Sequence, residues 1–228
     1  MGIWTATPSV CDPVRMTTES APPRATTRLS IFPLPGALLF PGMHLPLHMF
    51  EPRYQAMISD AMARDRRIGM IQPRGGPRDD ADALYDIGCV GKIAEVEALD
   101  DGRYNVVLEG IALFRIVREL DVTTAFRQVE AELLPVIEDD ALSLGRRSSL
   151  ELESRRFADM QGYAVDWDAV GRLDDESLVN GIAQIAPFDA AAKQALLEAP
   201  DIEQRAELII QLMQFFGRHD GDESVTLQ

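Results

Sequence analysis

Residues 31–47 read IFPLPGALLFPGMHLPL, the longest apolar run of the chain, and four prolines interrupt it. A proline cannot donate to a β-ladder, so strands in this stretch must lie at a sheet edge or bend at each proline. The run is also shorter than the roughly 18 apolar residues of a membrane-spanning helix. This stretch therefore predicts the start of a β-rich unit, and we expect no membrane partner.

Short apolar segments continue around this stretch and predict that the first half of the chain is rich in β-structure. An Asp-Gly pair at residues 101–102 separates two such segments, which is a strong hairpin signal. One helix interrupts this half, because Glu51-Pro52 suits a first helical turn and apolar residues then recur at helical spacing. The predicted helix spans residues 51–65, and the predicted strands span residues 29–34, 37–40, 44–49, 87–99, 104–108, 111–117 and 126–136.

The pattern changes to helical after residue 136, and the charge changes with it. Residues 1–136 hold 14 basic and 18 acidic residues, a net charge of −4, whereas residues 137–228 hold 8 and 19, a net charge of −11. Capping signals precede the last two helices. The predicted helices span residues 149–161, 174–185, 189–198 and 201–216. The chain is therefore divided into a disordered Thr/Pro-rich leader (1–28), a β-rich lobe (29–136), a helical bundle (137–217) and a polar tail (218–228).

Charge and cysteine usage restrict the classes of function. The whole chain of 228 residues carries a net charge of −15, which opposes binding to a phosphate backbone, so we expect no nucleic-acid partner. Its two cysteines, Cys11 and Cys89, form no Cys-x-x-Cys pair and no disulfide framework, which favours a cytoplasmic location. Cys89 lies in an apolar segment, a position typical of a buried, inert thiol.

The signatures of catalysis are not found in the sequence. Gly91-Lys92 is followed by Ile93, where a phosphate-binding P-loop needs Ser or Thr. Neither lysine, Lys92 or Lys193, has a serine nearby in sequence for a Ser–Lys dyad. His44 and His48 are separated by a proline that excludes the helical spacing of a zinc protease. We expect no enzyme activity, no metal and no cofactor.

Several blocks together resemble the Lon N-terminal domain family. They are FPLPGALLFPG at 32–42, LPLHMFEPRY at 45–54, GCVGKIAEV at 88–96 with the turn DGR at 101–103, LEG at 108–110 running to FRI at 114–116, and KQALLE at 193–198. The likeness covers about residues 29 to 216, in order. One position departs from the family pattern, since Leu113 stands where an arginine is usual, with Arg115 close by.

The resemblance implies an α+β fold: a PUA-like β-barrel lobe with one inserted helix, followed by a C-terminal α-helical bundle. It also implies a role in recognising unfolded or damaged polypeptides for protein quality control. In full-length Lon proteases this domain precedes ATPase and Ser–Lys protease modules, and no signature of either is found in this sequence. We therefore expect a stand-alone, non-catalytic relative whose partner is an unfolded polypeptide or another protein.

Two sets of residues are singled out within this resemblance. Phe50, Glu51, Arg53 and Tyr54 are expected to be structural: the two aromatic rings packed into the barrel, Glu51 at the positive helix start, and Arg53 paired with an acid across the lobe. Glycines 36, 42, 91 and 110 are expected to permit turns. A client chain would need a shallow apolar groove or an open strand edge, and the proline-rich strands at 31–47 supply edges. Met43, Met49 and Met57 are predicted to line such a groove, with filling of the core as the alternative.

Other classes of function remain open at this point. A protein–protein adaptor would present a surface to a separate protease or chaperone. A small-molecule-binding regulator would need a convergent polar pocket. The ranking is polypeptide binding first, then adaptor, then small-molecule site, then nucleic-acid binding. The sequence sets no oligomeric state.

Overall fold

The computed structural model describes residues 26–75, 83–135 and 141–219, with side chains up to residue 217. These segments form a β-rich lobe and a helical lobe. The strands are β1 (Thr26–Pro33), β2 (His44–Met49), β3 (Arg67–Ile71), β4 (Ile87–Ala98), β5 (Tyr104–Glu119) and β6 (Gln128–Leu133). The helices are α1 (Pro52–Met62), α2 (Leu144–Gln161), α3 (Trp167–Val170), α4 (Asp175–Ile185), α5 (Ala190–Glu198) and α6 (Ile202–His219).

The strand pairings close a ring of five strands with a sixth attached. β1 lies parallel to β3 and antiparallel to β6, and β4 joins β3 to β5. The second half of β5 pairs with β6, which completes the ring. The first half of β5 pairs instead with β2. The predicted α+β class is thus confirmed.

The predicted hairpin is present between β4 and β5. Its turn is closed by the Leu99 N–H, which donates to the Arg103 carbonyl at 2.8 Å. Gly102 has a φ of 82°, a left-handed conformation that favours glycine. The prediction of two strands at 104–108 and 111–117 is wrong in one respect, because β5 is continuous from Tyr104 to Glu119.

The proline-rich stretch is less regular than predicted. Residues 37–40 form no strand, although Leu38, Leu39 and Phe40 are buried. Glycine turns with positive φ at Gly36 and Gly42 bound this segment. Proline-bearing strands were predicted to lie at an edge or to bend at the proline; β2 lies at an edge, whereas β1 lies inside the ring and ends at Pro33.

The helical lobe follows the sequence signals closely. Asp174, Asp189 and Ser143 each accept a hydrogen bond from a backbone N–H in the first turn of a helix, which caps α4, α5 and α2. α2 starts at Leu144, five residues before the predicted start, and the short helix α3 was not predicted. No helix in the described segments is long and apolar enough to cross a membrane.

The predicted boundaries shift slightly at both ends of the fold. β1 begins at Thr26 and pairs with β6 from that residue onward, so residues 26–28 belong to the sheet and not to the leader. α6 extends to His219, two residues into the predicted tail. The remainder of the predicted leader, residues 1–25, and of the tail, residues 220–228, lies outside the described residues.

Apolar packing and a polar network join the two lobes. Leu38 and Phe40, from the proline-rich stretch, pack into the core of the helical lobe. The Lys193 ammonium on α5 donates to the Gly36 carbonyl at 2.9 Å and to the Gln184 carbonyl at 3.0 Å. Burial lowers the pKa of Lys193. Gln72 donates at 3.1 Å to Gln194, which itself donates to the Ile87 carbonyl at 3.0 Å.

Cys89 should be inert towards thiol reagents in the folded protein. Its side chain is buried, and burial raises its pKa to about 12, so the reactive thiolate is scarce at pH 8. In a Cys11→Ser background, maleimide labelling at pH 8 is expected to be at least about a hundredfold slower in buffer than in denaturant, given an ordinary cysteine pKa of about 8.5. Labelling at the denatured rate under native conditions would contradict this.

Candidate functional site

An apolar cavity of about 240 Å³ opens on the surface of the helical lobe. Its walls come from α2, α3, α4 and α6 and from the segments that connect α2, α3 and α4. The lining side chains are almost all apolar: Ser154, Phe157, Ala158, Tyr163, Val165, Trp167, Val170, Leu173, Leu178, Gly181, Ile182, Ile185, Ala186 and Met213. The volume is smaller than the roughly 300–1,000 Å³ of typical small-molecule sites. It fits one or two apolar side chains better than a cofactor.

Capping signals in the sequence build the rim of this cavity. Gly162, with a φ of 70°, ends α2 in a left-handed conformation and returns the chain over the last helical turn. Asp166 then starts α3 by accepting hydrogen bonds from two backbone N–H groups at 3.0 and 3.1 Å. Asp174 starts α4 by accepting from the Ser177 N–H at 2.7 Å. Three local signals thus hold the connecting segments in place around the opening.

The cavity has a buried floor and an exposed rim. Phe157, Leu178 and Met213 are buried and form the floor. Ile185, at the end of α4, is 81% exposed, and Tyr163 is 51% exposed. Ile185 therefore exposes apolar surface to water, and binding of a partner would bury this surface.

Charges around the cavity are mostly negative. Residues 153–186, which supply every lining residue except Met213, contain seven acidic and three basic residues. The Arg155 guanidinium lies 4.5 Å from the centre of the Trp167 ring, so this cation covers an aromatic wall. Hydrogen bonds from the Ser177 backbone N–H and hydroxyl lower the pKa of Asp174. The surroundings therefore favour neutral or basic ligands over acidic ones.

The polar chemistry inside the cavity is minimal. Ser154 contributes a hydroxyl, which lies 3.8 Å from the Met213 sulfur. Among the described residues, no group of three or more His, Cys, Asp or Glu side chains could hold a metal ion. The arrangement can bind apolar groups and exclude water from them, and it offers no acid–base pair for a reaction.

Two of the three predicted groove methionines are buried in the core, and the third is partly buried. Met49 and Met57 are 1% and 0% exposed and lie in the core of the β-rich lobe, so they cannot contact a client in this conformation. Met43 is partly buried against the helical core, 3.9 Å from the position that a Cβ on Gly181 would take. The interpretation of Met49 and Met57 as groove residues is therefore corrected, while Met43 lies next to Gly181, which lines the cavity.

The Phe50–Tyr54 motif departs from its predicted contacts in two ways. Tyr54 packs edge-on against Phe32 with ring centres 4.4 Å apart, as expected of a core residue. Phe50 is 62% exposed, so the prediction that it packs into the barrel is wrong. Arg53 pairs with Glu51 at 2.8 Å, two residues away and not across the lobe, and its guanidinium lies over the Tyr54 ring. Glu51 occupies the N-cap position of α1.

Gly91 and Gly110 allow close packing within strands and do not form turns. They face each other across β4 and β5, where the register shifts. A Cβ on Gly91 would lie 2.9 Å from the Leu39 side chain, and one on Gly110 would lie 2.0 Å from the Phe40 carbonyl oxygen. The two glycines thus let the proline-rich stretch cross directly over the sheet.

Leu113, the departure from the family pattern, has an apolar role. Its side chain packs against the cores of both lobes. Arg115 is exposed and pairs in the ladder with Ile87. A cation at position 113 would be placed between two apolar cores, so the leucine is consistent with its surroundings.

Sequence reasoning did not find the cavity. Its floor uses the same apolar spacing as any helical core, and its rim lies on connecting segments without periodicity. One signal was available, namely the apolar and aromatic residues Tyr163, Val165 and Trp167 in a segment between two helices. Such residues are unusual in a plain connection.

The fold is that of solved Lon N-terminal domains. The crystal structure of a Lon N-terminal domain protein from Xanthomonas campestris superposes with a TM-score of 0.61 at 21% identity, covering 83% of this chain and 98% of that one. The N-terminal domain of a Mycobacterium avium complex Lon protease gives a TM-score of 0.58 at 21% identity, covering 82% and 98%.

Sequence comparison gives the same family. Lon protease 2 of Myxococcus xanthus is 28% identical over 87% of this chain and 25% of that protease, and Lon protease 1 of Syntrophobacter fumaroxidans is 29% identical over 80% and 23%. This chain thus spans about a quarter of the length of these relatives. The family model described as the ATP-dependent protease La (LON) substrate-binding domain matches residues 28–214. The chain belongs to this family.

Proposed function

We propose that this protein binds unfolded or damaged polypeptides in protein quality control and carries out no reaction itself. The observation that carries the proposal is the apolar cavity with its exposed rim, because an unfolded chain is the partner that displays apolar side chains in water. The description of the family as a substrate-binding domain agrees with this role. The polar network that joins the two lobes suits a rigid scaffold for such a surface.

The charge around the cavity adds a preference among clients. The acidic surroundings should attract segments in which the apolar residues are flanked by lysine or arginine, and should disfavour acidic segments. This electrostatic part of the affinity should weaken as salt is added, since exposed charges are screened over about 10 Å at 0.1 M ionic strength.

The direct test is fluorescence anisotropy with a labelled protein that has been reduced and carbamidomethylated, so that it cannot refold and its cysteines gain no charge. Saturable binding to this unfolded chain, with none to its native counterpart or to duplex RNA, is the expected result. Absence of binding to all three would contradict the proposal and favour the adaptor role, which affinity capture of a partner protein would then address.

A variant pair tests the cavity as the binding site. Ile185→Asp places a charge on the rim and should weaken binding at least about tenfold, because burying an isoleucine side chain contributes about 1.5–3 kcal/mol. Leu152→Asp makes the same kind of change on α2 at a side chain that is 66% exposed and does not line the cavity. The control should bind within twofold of the parent protein. Equal affinities for all three proteins would place the site elsewhere.

A further inference from the structure

Strand β2 leaves one edge of the sheet open. Its strand partner within the described residues is β5, which pairs with it from His44 opposite Glu109 to Met49 opposite Tyr104. No described strand lies on its other side. An open edge presents backbone N–H and carbonyl groups that an extended segment of another chain can pair with.

The phase of the pairing identifies which backbone groups face outward. In an antiparallel pair, alternate residues direct their N–H and carbonyl groups towards the partner strand or away from it. The Met43 carbonyl accepts a hydrogen bond from the Gly110 N–H on β5, so the backbone groups of Leu45 and Leu47 also point towards β5. The backbone groups of the alternate residues, His44, Pro46 and His48, point towards the open edge. A contact outside the sheet agrees with this, since Gln184 on α4 donates to the His44 carbonyl at 2.8 Å.

The open edge begins beside one of the helices that line the apolar cavity. Helix α4 lines the cavity with Gly181, Ile182 and Ile185. The same helix contacts the beginning of β2 through Gln184, one residue from the exposed Ile185. Beyond this contact the outward groups are the Pro46 carbonyl and the N–H and carbonyl of His48. Because α4 carries both Ile185 and Gln184, an extended chain bound at the cavity rim can continue along these backbone groups, which have no strand partner among the described residues.

We propose that the β2 edge binds the backbone of the client, by adding an extended segment as a further strand, while the cavity takes one of its apolar side chains. This inference rests on the proposed function and deepens it. Backbone pairing is independent of client sequence, whereas the cavity selects for an apolar residue. Together they describe a receptor for extended apolar segments, which native proteins keep buried.

The composition of the edge favours an extended client over a second copy of this chain. Pro46 has no N–H, so from Pro46 to His48 the edge offers two carbonyls and one donor. A second copy would bring the same proline-interrupted edge with the same shortage of donors. An unfolded client supplies one N–H at nearly every residue and can match the two carbonyls.

Two substitutions of His48 distinguish the contribution of its backbone N–H to client binding from that of its side chain. The ring contacts Asn105 at 2.8 Å and Arg103 at 3.2 Å, and both His48→Pro and His48→Ala remove these contacts. Only His48→Pro also removes the outward N–H, at an edge position where proline is tolerated. The affinity for the carbamidomethylated chain should be about fivefold to tenfold lower in H48P than in H48A, because H48P loses one hydrogen bond and its proline ring obstructs a paired strand.

A gain-of-binding variant makes the test independent of any folding defect in H48P. Pro46→Thr adds an outward N–H and should raise the affinity about threefold to fivefold. If H48P, H48A and P46T all bind like the parent while I185D binds weakly, the edge inference is overturned and the cavity proposal stands. If the parent protein binds no unfolded chain, both the edge inference and the cavity proposal are contradicted. Concentration-dependent dimerisation of P46T without tighter client binding would assign the edge to a second copy and would also overturn the inference.

Discussion

Replacement of Gly110 by alanine is expected to be the most destabilising single change in the β-rich lobe. A Cβ at this position would lie 2.0 Å from the Phe40 carbonyl oxygen, a backbone atom that cannot rotate away. Gly110 also exchanges hydrogen bonds with the neighbouring loop, donating to the Met43 carbonyl at 2.9 Å and accepting from Gly42 at 3.0 Å. We expect the free energy of unfolding to fall by about 4 kcal/mol, in the range reserved for severe core overpacking. Urea unfolding followed by circular dichroism measures it.

Gly145 provides the matched control for this substitution. It lies in the first turn of α2, and a Cβ there would meet nothing within 4 Å. Gly145→Ala should therefore raise the free energy of unfolding, by about 0.5–1 kcal/mol, because alanine loses less backbone entropy in a helix. If G110A unfolded at the same urea concentration as the parent protein, the direct crossing of the proline-rich stretch over β5 would be wrong.

Loss of the Arg205 side chain should be comparably severe in the helical lobe. This guanidinium is buried and donates to the Leu196 carbonyl and to the Asn180 side chain, both at 2.9 Å, and it lies 4.9 Å from the Phe40 ring centre. Arg205→Ala would leave those acceptors buried without their donor, at about 1–3 kcal/mol for each unsatisfied group. We expect a total loss of about 3–5 kcal/mol, seen as a lower Tm in calorimetry.

An exposed arginine, Arg64, provides the control for the Arg205 substitution. Arg64 pairs with Asp60 at 3.0 Å, one turn earlier on α1, and its side chain is 62% exposed. Exposed ion pairs of this kind contribute about 0–1 kcal/mol, so Arg64→Ala should change the Tm little. If the two variants lowered the Tm equally, Arg205 would have to be far more hydrated than its buried position beside Leu196, Asn180 and Phe40 implies.

The sequence predicts the parts of the fold that local chemistry determines. Asp101-Gly102 indicates a hairpin because a left-handed turn needs a residue such as glycine. Asp189 and Asp201 indicate helix starts because their carboxylates accept the free N–H groups there. Strand β3 was missed, since Arg67–Ile71 is short and forms its parallel pairing with β1, far away in sequence. Non-local pairing of this kind leaves little local signature.

The candidate site could not be predicted for a related reason. Residue type alone suggests that the methionines form an adaptable surface, yet burial is determined by tertiary packing. This packing places Met49 and Met57 in the core of the β-rich lobe and Met43 beside α4. Phe50 shows the opposite error, an aromatic residue of the family motif that the structure leaves in solvent. The cavity itself arises where three capped segments converge, and no single segment encodes that convergence.

The placement of Leu38 and Phe40 has a consequence for cooperativity. Both belong by sequence to the β-rich half, yet both complete the apolar interior of the helices, and Lys193 ties the loop that precedes them to α5. A chain cut between the lobes would therefore yield two fragments, one with exposed leucine and phenylalanine side chains and the other with an unfilled interior. The two lobes are divisions of architecture, and we expect them to unfold together as one thermodynamic unit.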